Sequence, residues 1–348
     1  MRVARVLAPH EIRVEEAPTP TPGAGEALVR IKAVGLCGSD LQYYAQGRIG
    51  DLQFSSGHIL GHEVAGIVEA LGPGVNGPLP GTPVVVDPAI ACGRCRHCLE
   101  GNPNFCKTLR FLGSPPVAGA LQEFIVHPSH LLLPIARRLS FSVGAAIEPL
   151  GVALHAVDLG HIRIGDRVVV FGCGPIGLLI ASSALRAGAI VYASEPLAHR
   201  RKIATKYGVA SVWDPGTDDV ARAIMDATHG EGVDVIFEAA GSQTATEQAL
   251  DVLRSGGTAV LVGYWKADQV ILPGIRAMRK GLTVRFVRRM RNTFARAITL
   301  TESGQVDLAS LITHEFPFSA VATAFQQAAR REPDIVKAVI MMGDARSS

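Results

Sequence analysis

A glycine motif between an apolar strand and an apolar helix restricts most strongly what this chain can fold into. Gly172, Gly174 and Gly177 form G-x-G-x-x-G directly after the run 166–171, and the motif ends in the first residues of the run 176–187. The first glycine permits a tight turn, the second lets a pyrophosphate approach the backbone, and the third lets helix and strand pack closely. This context predicts a dinucleotide site at a helix N-terminus rather than a mere tight turn, which is the alternative.

The residue at the end of the next predicted strand bears on which dinucleotide binds. Glu195 stands at that position. A carboxylate there accepts hydrogen bonds from both hydroxyls of an adenosine ribose and repels the 2′-phosphate of NADP. We therefore expect NAD, with NADP as the less favoured alternative because Arg200 could accommodate a phosphate. If Glu195 has no cofactor role, it is a solvated strand end.

The pattern of apolar runs divides the chain into three parts. Residues 1–150 contain short alternating runs separated by Gly and Pro turns, which predicts a mostly-β domain. Residues 151–288 alternate strands with helices, which predicts an α/β unit with a doubly wound parallel sheet. We expect residues 289–348 to form two helices and a closing strand that pack back onto the first domain. A chain of 348 residues is long enough for two cores.

Four of the six cysteines lie in one short loop with the spacing C-x2-C-x2-C-x7-C, namely Cys92, Cys95, Cys98 and Cys106. Four thiolates can close a tetrahedral shell around one zinc ion. Because all four ligands are thiols, no coordination position remains for water, so we expect a structural zinc site. Disulfides or unpaired thiols are the alternative. The chemistry must then lie elsewhere in the chain.

A second group of residues has the donor atoms of a catalytic metal site. Cys37 lies in a Gly-rich turn, His62 and Glu63 are adjacent, and Glu148 interrupts an apolar stretch. Thiolate, imidazole and carboxylate make a mixed zinc shell with room for an exchangeable ligand. Spacing alone leaves the site open, since isolated histidines are more often structural. Because strand neighbours point to opposite faces, we expect His62 and Glu63 at a turn or a helix start.

Charge and hydropathy argue against nucleic-acid and membrane partners. The formal net charge is only +3, and no apolar run of about 18 residues is free of charge. The N-terminus lacks the long apolar stretch of a signal peptide. Clustered thiols without an export signal indicate a reducing compartment, so we expect a cytoplasmic protein.

These motifs occur in the order found in zinc-dependent medium-chain dehydrogenases, which the chain resembles over essentially its whole length. The shared stretches are GHE at 61–63, the four-cysteine loop, the glycine motif and VDVIFEAAG at 233–241. Within that superfamily the chain looks most like the sorbitol (polyol) dehydrogenases. The stretches that carry this likeness are CGSD at 37–40, YY at 43–44, GRIG at 47–50, FLGSPPVAG at 111–119, EFIVHP at 123–128 and IEPL at 147–150.

The resemblance implies a GroES-like catalytic domain, a Rossmann domain, two Zn²⁺ ions per chain and a homodimer or homotetramer. It implies reversible, NAD-dependent oxidation of a secondary alcohol of a polyol to a ketone. Cys37 and His62 match ligands of the catalytic zinc. Glu63 and Glu148 both match acidic residues that tune this ion, and either could be the direct ligand.

The resemblance also assigns roles to residues around the reacting groups. Ser39 matches a hydroxyl that passes the alcohol proton toward solvent. Tyr43, Arg289 and Glu148 match positions that contact the polyol or the metal-bound water. The positions that match cofactor contacts are Gly172, Gly174, Ile176, Gly177, Glu195, Arg200, Val262, Gly263, Tyr264 and Arg288.

Two departures from the family pattern bear on the substrate. Gln42 replaces the usual histidine, and Met290 replaces a tyrosine beside Arg289. The loss of a phenol hydroxyl removes one hydrogen-bond partner, so sorbitol itself is less expected than polyol chemistry in general. The enzymatic alternative is an L-threonine 3-dehydrogenase or another secondary-alcohol dehydrogenase. The alternatives of other classes are a non-catalytic dinucleotide-binding protein and a zinc-ribbon nucleic-acid binder.

Overall fold

The computed structural model describes residues 1–265 and 269–343. Its contacts divide the chain into two compact units. One unit comprises Met1–Glu148 together with the chain from Phe294 onward, and the other comprises Pro149–Thr293. These limits fall a few residues away from the limits 150 and 288 expected from the apolar pattern.

Short strands dominate the chain before the first unit boundary. The strands are β1 (Arg2–Ala8), β2 (Glu11–Glu16), β3 (Glu26–Gly35), β4 (Arg48–Ile49), β5 (Leu52–Gln53), β6 (Glu63–Leu71), β7 (Pro83–Val86), β8 (Ala89–Ile90), β9 (Arg110–Phe111), β10 (Phe124–Pro128) and β11 (Leu132–Pro134). The helices are α1 (Gly38–Gln46), α2 (Arg96–Leu99), α3 (Phe141–Ala145) and α4 (Ile147–Gly160), the last of which crosses the boundary.

The second unit alternates strands with helices, as the sequence predicted. Its elements are β12 (Arg167–Phe171), α5 (Pro175–Arg186), β13 (Ile190–Ser194), α6 (Ala198–Lys206), β14 (Ser211–Trp213), α7 (Val220–Ala227), β15 (Val233–Glu238), α8 (Gln243–Val252), β16 (Leu253–Leu261), α9 (Gly274–Lys280) and β17 (Thr283–Phe286). All six strands are parallel, in the order β14-β13-β12-β15-β16-β17. This order reverses direction between β12 and β15, where dinucleotides bind in doubly wound sheets.

The chain after Thr293 belongs to the first unit. It forms α10 (Phe294–Glu302), β18 (Ile312–Pro317), α11 (Val321–Ala329) and β19 (Lys337–Met341). The main sheet of this unit has the order β11-β7-β6-β3-β19-β18, and β10 also pairs with β3. β19 lies antiparallel to β3, with Val339 opposite Gly35. The C-terminal strand thereby lies beside the end of β3.

Each unit buries its own apolar core. The core of the first unit includes Val29 and Ile31 of β3, together with Phe318 and Phe325 near α11. The core of the second unit includes Val169, Ile236 and other buried residues of the parallel strands. β12 reads Arg-Val-Val-Val-Phe, and its last four residues are buried. A continuous β-branched run of this kind is typical of a parallel strand covered on both faces.

One helical stretch among the described residues is long and apolar enough to cross a membrane by length and composition alone. It is Phe141–Gly160, which covers α3 and α4, and 72% of its most apolar window is buried inside the protein. The buried core helix of a globular protein can be equally long and apolar. The stretch also contains two acidic residues, Glu148 and Asp158. The stretch is therefore weak evidence for a membrane span.

Candidate metal and dinucleotide sites

The structure brings Cys37, His62 and Glu63 together at the ends of two paired strands. β3 ends at Gly35, which lies opposite Glu63 at the start of β6. One ligand atom from each of the three residues lies within 4.8 Å of the other two. A thiolate, an imidazole and a carboxylate at these separations fit one zinc ion with an open coordination position.

The backbone around His62 and Glu63 differs from the turn or helix start that we expected. Glu63 is the first residue of a strand. His62 lies just before that strand, after Gly61, whose φ of 96° is in the left-handed region that favours glycine. Neighbouring side chains point to opposite faces only within a strand. Because His62 is outside the strand, its side chain can lie close to that of Glu63.

Asp40 is a residue of this site that the sequence analysis did not single out. Its carboxylate is buried, and Oδ1 lies 3.5 Å from Nδ1 of His62. It also accepts hydrogen bonds from the backbone N–H groups of Cys37 and Gly61, each at 3.1 Å. A carboxylate that holds one imidazole nitrogen orients the ring and leaves the other nitrogen for a metal ion. The only local signal is its position three residues after Cys37.

The charges of Asp40 and His62 stabilise each other. Burial by itself raises the pKa of Asp40, but His62 and the two backbone N–H groups outweigh it and hold that pKa below its usual value. Burial lowers the pKa of His62, but Asp40 and Cys37 raise it well above its usual value. A ring nitrogen must be free of its proton before a metal ion can bind it.

The carboxylate of Glu63 is enclosed by neighbouring strands. A Cβ atom at Gly35 would overlap this carboxylate and would lie 3.2 Å from the Cβ of Glu63, so only glycine fits there. On the other side, Nζ of Lys337 in β19 forms an ion pair with Oε2 of Glu63, and both side chains are buried. The role of Lys337 could not be predicted from the sequence, because nothing local places the start of β19 beside Glu63.

Glu148 lies in the first turn of α4 and is also buried. It is not one of the three mutually close ligands that the described residues provide. Burial, assisted by the charge of Glu63, raises the pKa of Glu148 to about 7, against the opposing effects of His62 and Lys337. Glu148 can therefore exchange a proton near neutral pH.

Two further residues of the predicted site lie on α1. Ser39 and Tyr43 are four residues apart in this helix and so share one of its faces. Tyr43 is buried, and its hydroxyl lies 3.4 Å from Oγ of Ser114, whereas Ser39 is half-buried. Gln42 is also half-buried. Because Cys37 is the N-cap of α1, the helix fixes these side chains relative to a metal ligand.

The four-cysteine loop has the geometry of a closed metal site. One sulfur atom from each of Cys92, Cys95, Cys98 and Cys106 lies within 4.8 Å of the others, and none of the four forms a disulfide. The Sγ atoms of Cys95 and Cys98 are 3.5 Å apart, and those of Cys92 and Cys98 are 4.0 Å apart. Tetrahedral zinc with Zn–S bonds of about 2.3 Å requires roughly 3.8 Å between sulfur atoms. The loop therefore fits zinc.

The glycine motif lies at the carboxyl end of β12, beside the point where the strand order reverses. A Cβ atom at Gly177 would overlap the carbonyl oxygen of Gly172, so helix and turn pack as closely as the motif predicts. Pro175 is the first residue of α5, and Gly174 is its N-cap. The positive end of α5 is thus available to a pyrophosphate. Ile176 follows in the first turn and is half-buried.

Glu195 is buried rather than a solvated strand end. Its Oε2 accepts a hydrogen bond of 2.6 Å from the backbone N–H of Cys173, and its Oε1 accepts one of 2.9 Å from Leu197. The carboxylate is thus fixed against the glycine turn. The guanidinium of Arg200 also lies at this turn, because its Nη1 is 3.6 Å from where a Cβ of Gly174 would be. Burial, assisted by Glu195, raises the pKa of the Cys173 thiol, which makes it an unreactive packed side chain.

The loop after β16 carries three predicted cofactor contacts. The backbone oxygen of Glu238 accepts hydrogen bonds from Val262 and Gly263, at 2.8 and 2.9 Å. Its carboxylate accepts from Ala240 and Ser242, at 3.0 and 3.3 Å. Glu238 therefore organises two loops at the carboxyl edge of the sheet, a role that the sequence analysis missed. Tyr264, the third predicted contact, is exposed.

The predicted substrate arginine has an unusual backbone. Arg289 has a φ of 56°, in the left-handed region that side chains other than glycine rarely adopt. Six other non-glycine residues among those described, including Asn292, also have a positive φ, so the backbone alone does not single out Arg289. Arg288 is exposed and Arg289 is half-buried. Met290 is buried, and its sulfur lies 2.8 Å from where a Cβ of Gly151 would be.

Two family models match the chain and together cover more than half of it. Residues 23–137 match the alcohol dehydrogenase GroES-like domain. Residues 175–303 match the zinc-binding dehydrogenase domain. The first match lies within the first unit, and the second lies in the second unit except for its last residues, 294–303, which belong to the first.

Curated relatives are similar along nearly the whole chain. Sorbitol dehydrogenase of Bacillus subtilis is 33% identical, and the alignment covers 98% of this chain and 97% of the relative. L-Idonate 5-dehydrogenase of Vitis vinifera is also 33% identical, with 94% and 91% covered.

Two solved structures that resemble this chain contain different nicotinamide cofactors, NADP in one and NADH in the other. A protein assigned as a zinc-binding dehydrogenase from Sinorhizobium meliloti, bound to NADP, has a TM-score of 0.89 at 29% identity and covers 98% of this chain and 99% of its own. An alcohol dehydrogenase from Escherichia coli, complexed with NADH, has a TM-score of 0.90 at 27% identity with the same coverage. The comparisons support a zinc-dependent oxidoreductase that uses a nicotinamide cofactor.

We expect Cys95→Ser to lower the metal content by about one ion per chain and to lower the melting temperature, because a structural zinc site contributes directly to folding. Metal analysis and thermal melts measure both effects. Cys173→Ala, a change at a buried cysteine outside the loop, is the matched control and should retain the ion. An unchanged metal content in Cys95→Ser would contradict the zinc assignment.

Proposed function

Because this chain belongs to the zinc-dependent alcohol dehydrogenase family, we propose that it reversibly oxidises a secondary alcohol of a polyol to a ketone with NAD as the cofactor. The observation that carries the proposal is the set of ligand atoms from Cys37, His62 and Glu63, which lie within 4.8 Å of one another in a chain that also has a dinucleotide motif. Family membership favours this function over the non-catalytic and nucleic-acid alternatives.

Two zinc ions per chain are part of the proposal. Cys37, His62 and Glu63 would hold the catalytic ion, with Glu148 nearby, and the four-cysteine loop would hold the structural one. When bound, zinc supplies a Lewis acid that lowers the pKa of a coordinated hydroxyl. Asp40 keeps His62 in the orientation that ligation requires.

The protein side chains bind the substrate and remove its proton. Ser39, half-buried on α1, would pass the proton released from the alcohol toward solvent. Tyr43, on the same face of the helix, and Ser114, which its hydroxyl contacts, offer hydroxyl groups to a polyhydroxylated substrate. Arg289 would add hydrogen-bond donors for the hydroxyl groups of the substrate.

The cofactor site lies in the second unit. The glycine motif and the N-terminus of α5 would hold the pyrophosphate, and Glu195 would select NAD by its charge at the ribose. NAD supplies the hydride acceptor. The loop of Val262, Gly263 and Tyr264, anchored by Glu238, would contact the same cofactor, as would Ile176, Arg200 and Arg288. A cytoplasmic location and assembly as a homodimer or homotetramer complete the proposal.

We expect His62→Ala to lower kcat for alcohol oxidation by about 1000-fold or more, because loss of a metal ligand removes several kcal/mol of transition-state stabilisation. The Kd for NADH should change less than twofold, since the dinucleotide site is in the other unit. Steady-state kinetics and NADH fluorescence titration give the two values. His130→Ala, an exposed surface change, serves as the control and should leave both values unchanged. Turnover by His62→Ala at the wild-type rate would refute the metal role.

A substrate panel separates the polyol proposal from its enzymatic rivals. With NAD held constant, sorbitol and xylitol should give kcat/KM at least about 100-fold above L-threonine, because a site built from hydroxyl partners leaves polar groups unpaired with the wrong ligand. 2-Butanol, which lacks the additional hydroxyls, should be poorer than the polyols for the same reason. A preference for L-threonine would replace the polyol assignment with the amino-alcohol one.

The choice of cofactor can be tested at Glu195. We expect the wild-type enzyme to prefer NAD to NADP by at least about 100-fold in kcat/KM, and Glu195→Ala to lower that ratio at least about tenfold. The ratio should fall because the substitution removes both an acceptor for the ribose hydroxyls and a charge that repels the 2′-phosphate. Glu231→Ala, at an exposed acidic residue of the same unit, is the matched control. Equal use of the two cofactors by the wild type would show that Glu195 does not select NAD.

A further inference from the structure

The ammonium group of Lys337 is buried beside the predicted catalytic metal site. The side chain of Lys337 is 2% exposed and that of Glu63 is 1% exposed. Nζ forms an ion pair with Glu63 and donates a hydrogen bond of 2.9 Å to the carbonyl oxygen of Leu36. A lysine is almost never fully buried unless its charge is paired. The pair with Glu63 is therefore the reason that this lysine can be buried.

Lys337 contacts the segments that carry two of the three predicted ligands. The backbone N–H of Leu36 donates to the carbonyl oxygen of Ala338 at 2.9 Å, and its carbonyl oxygen accepts from Lys337. Both backbone polar groups of Leu36 are thus bonded to β19. Cys37 is the next residue, so β19 fixes the chain where it enters the metal site.

The negative charges around the site need compensation that does not depend on a metal ion. The carboxylate of Asp40 is paired with His62. The carboxylate of Glu63 contacts Gly35, which has no charged side chain, and is paired with Lys337. Removal of one partner of a buried ion pair leaves an uncompensated charge, which is strongly destabilising. Without a metal ion, Lys337 is the cation paired with Glu63 among the residues that the structure describes.

We propose that Lys337 is a positioning residue of the metal site, which compensates Glu63 when the ion is absent and so keeps the protein folded while the ion exchanges. The inference rests on the proposed function, in which Glu63 faces a zinc ion. With the ion bound, Glu63 is close to two cations. Without it, the carboxylate keeps its ion pair with Lys337.

The test compares melting temperatures of zinc-loaded and stripped protein. The catalytic-site ion is removed from the full-length protein by a chelator until about one ion per chain remains in the four-cysteine loop, as checked by metal analysis. We expect stripped Lys337→Met to melt about 10 °C below the stripped wild type. The zinc-loaded variant should lose less than a third of that, because the ion replaces the missing charge.

Two further variants separate charge compensation from simple packing. Lys337→Arg keeps the charge and should melt within a few degrees of the wild type in both forms. The double variant Glu63→Gln/Lys337→Met has no carboxylate left to compensate, so its stripped form should recover most of the loss seen in Lys337→Met.

Results that contradict the role of Lys337 differ from results that contradict the proposed function. An equal loss in loaded and stripped Lys337→Met, including a failure to fold even with zinc, would show that the lysine is only structural. No loss in either form, or a double variant as unstable as the single one, would also overturn the inference. A wild type that never holds more than the ion of the four-cysteine loop would refute the proposed function instead, and metal analysis shows this before any melt.

Discussion

The predicted catalytic metal site depends on the pairing of β3 with a strand on each side. Gly35, the last residue of β3, lies opposite Glu63 of β6 and opposite Val339 of β19. This register brings the chain at Cys37, the carboxylate of Glu63 and the ammonium of Lys337 to one place. Because side chains alternate along a strand, a slip of one residue would move Glu63 to the other face. The buried face of β3, which includes Val29 and Ile31, resists that slip, since it would expose apolar side chains to water.

Features set by local sequence were predictable. Two helices and a closing strand were expected after residue 289, and the structure has helices at Phe294–Glu302 and Val321–Ala329 and a strand at Lys337–Met341. The glycine motif also lies between a strand and a helix, as predicted. Its glycines are required by local packing, since a side chain at Gly177 would overlap the carbonyl oxygen of Gly172. Periodicity and turn chemistry act over a few residues, so a single sequence is sufficient to recognise them.

Features set by distant partners were not predictable in the same way. A lysine at the start of an apolar strand resembles a solvated strand end, and its buried partners, Glu63 and the carbonyl oxygen of Leu36, are far away in the sequence. The carboxylate of Glu195 is similar, because its hydrogen bond to Cys173 depends on how β13 pairs beside β12. Asp40 could have been noticed from its spacing to Cys37, but its contact with His62 depends on the approach of β6. In each case the missing information was which long-range partner satisfies a buried polar group.

The geometry bears on which glutamate binds the metal ion directly, a choice that the sequence left open. One carboxylate oxygen of Glu63 lies within 4.8 Å of ligand atoms of Cys37 and His62, whereas Glu148 is outside this group of described residues. Glu63 reaches that position because it begins β6, opposite Gly35 at the end of β3. Glu148 is buried in the first turn of α4, where burial and the charge of Glu63 raise its pKa to about 7. We therefore expect Glu63 rather than Glu148 to be the direct ligand.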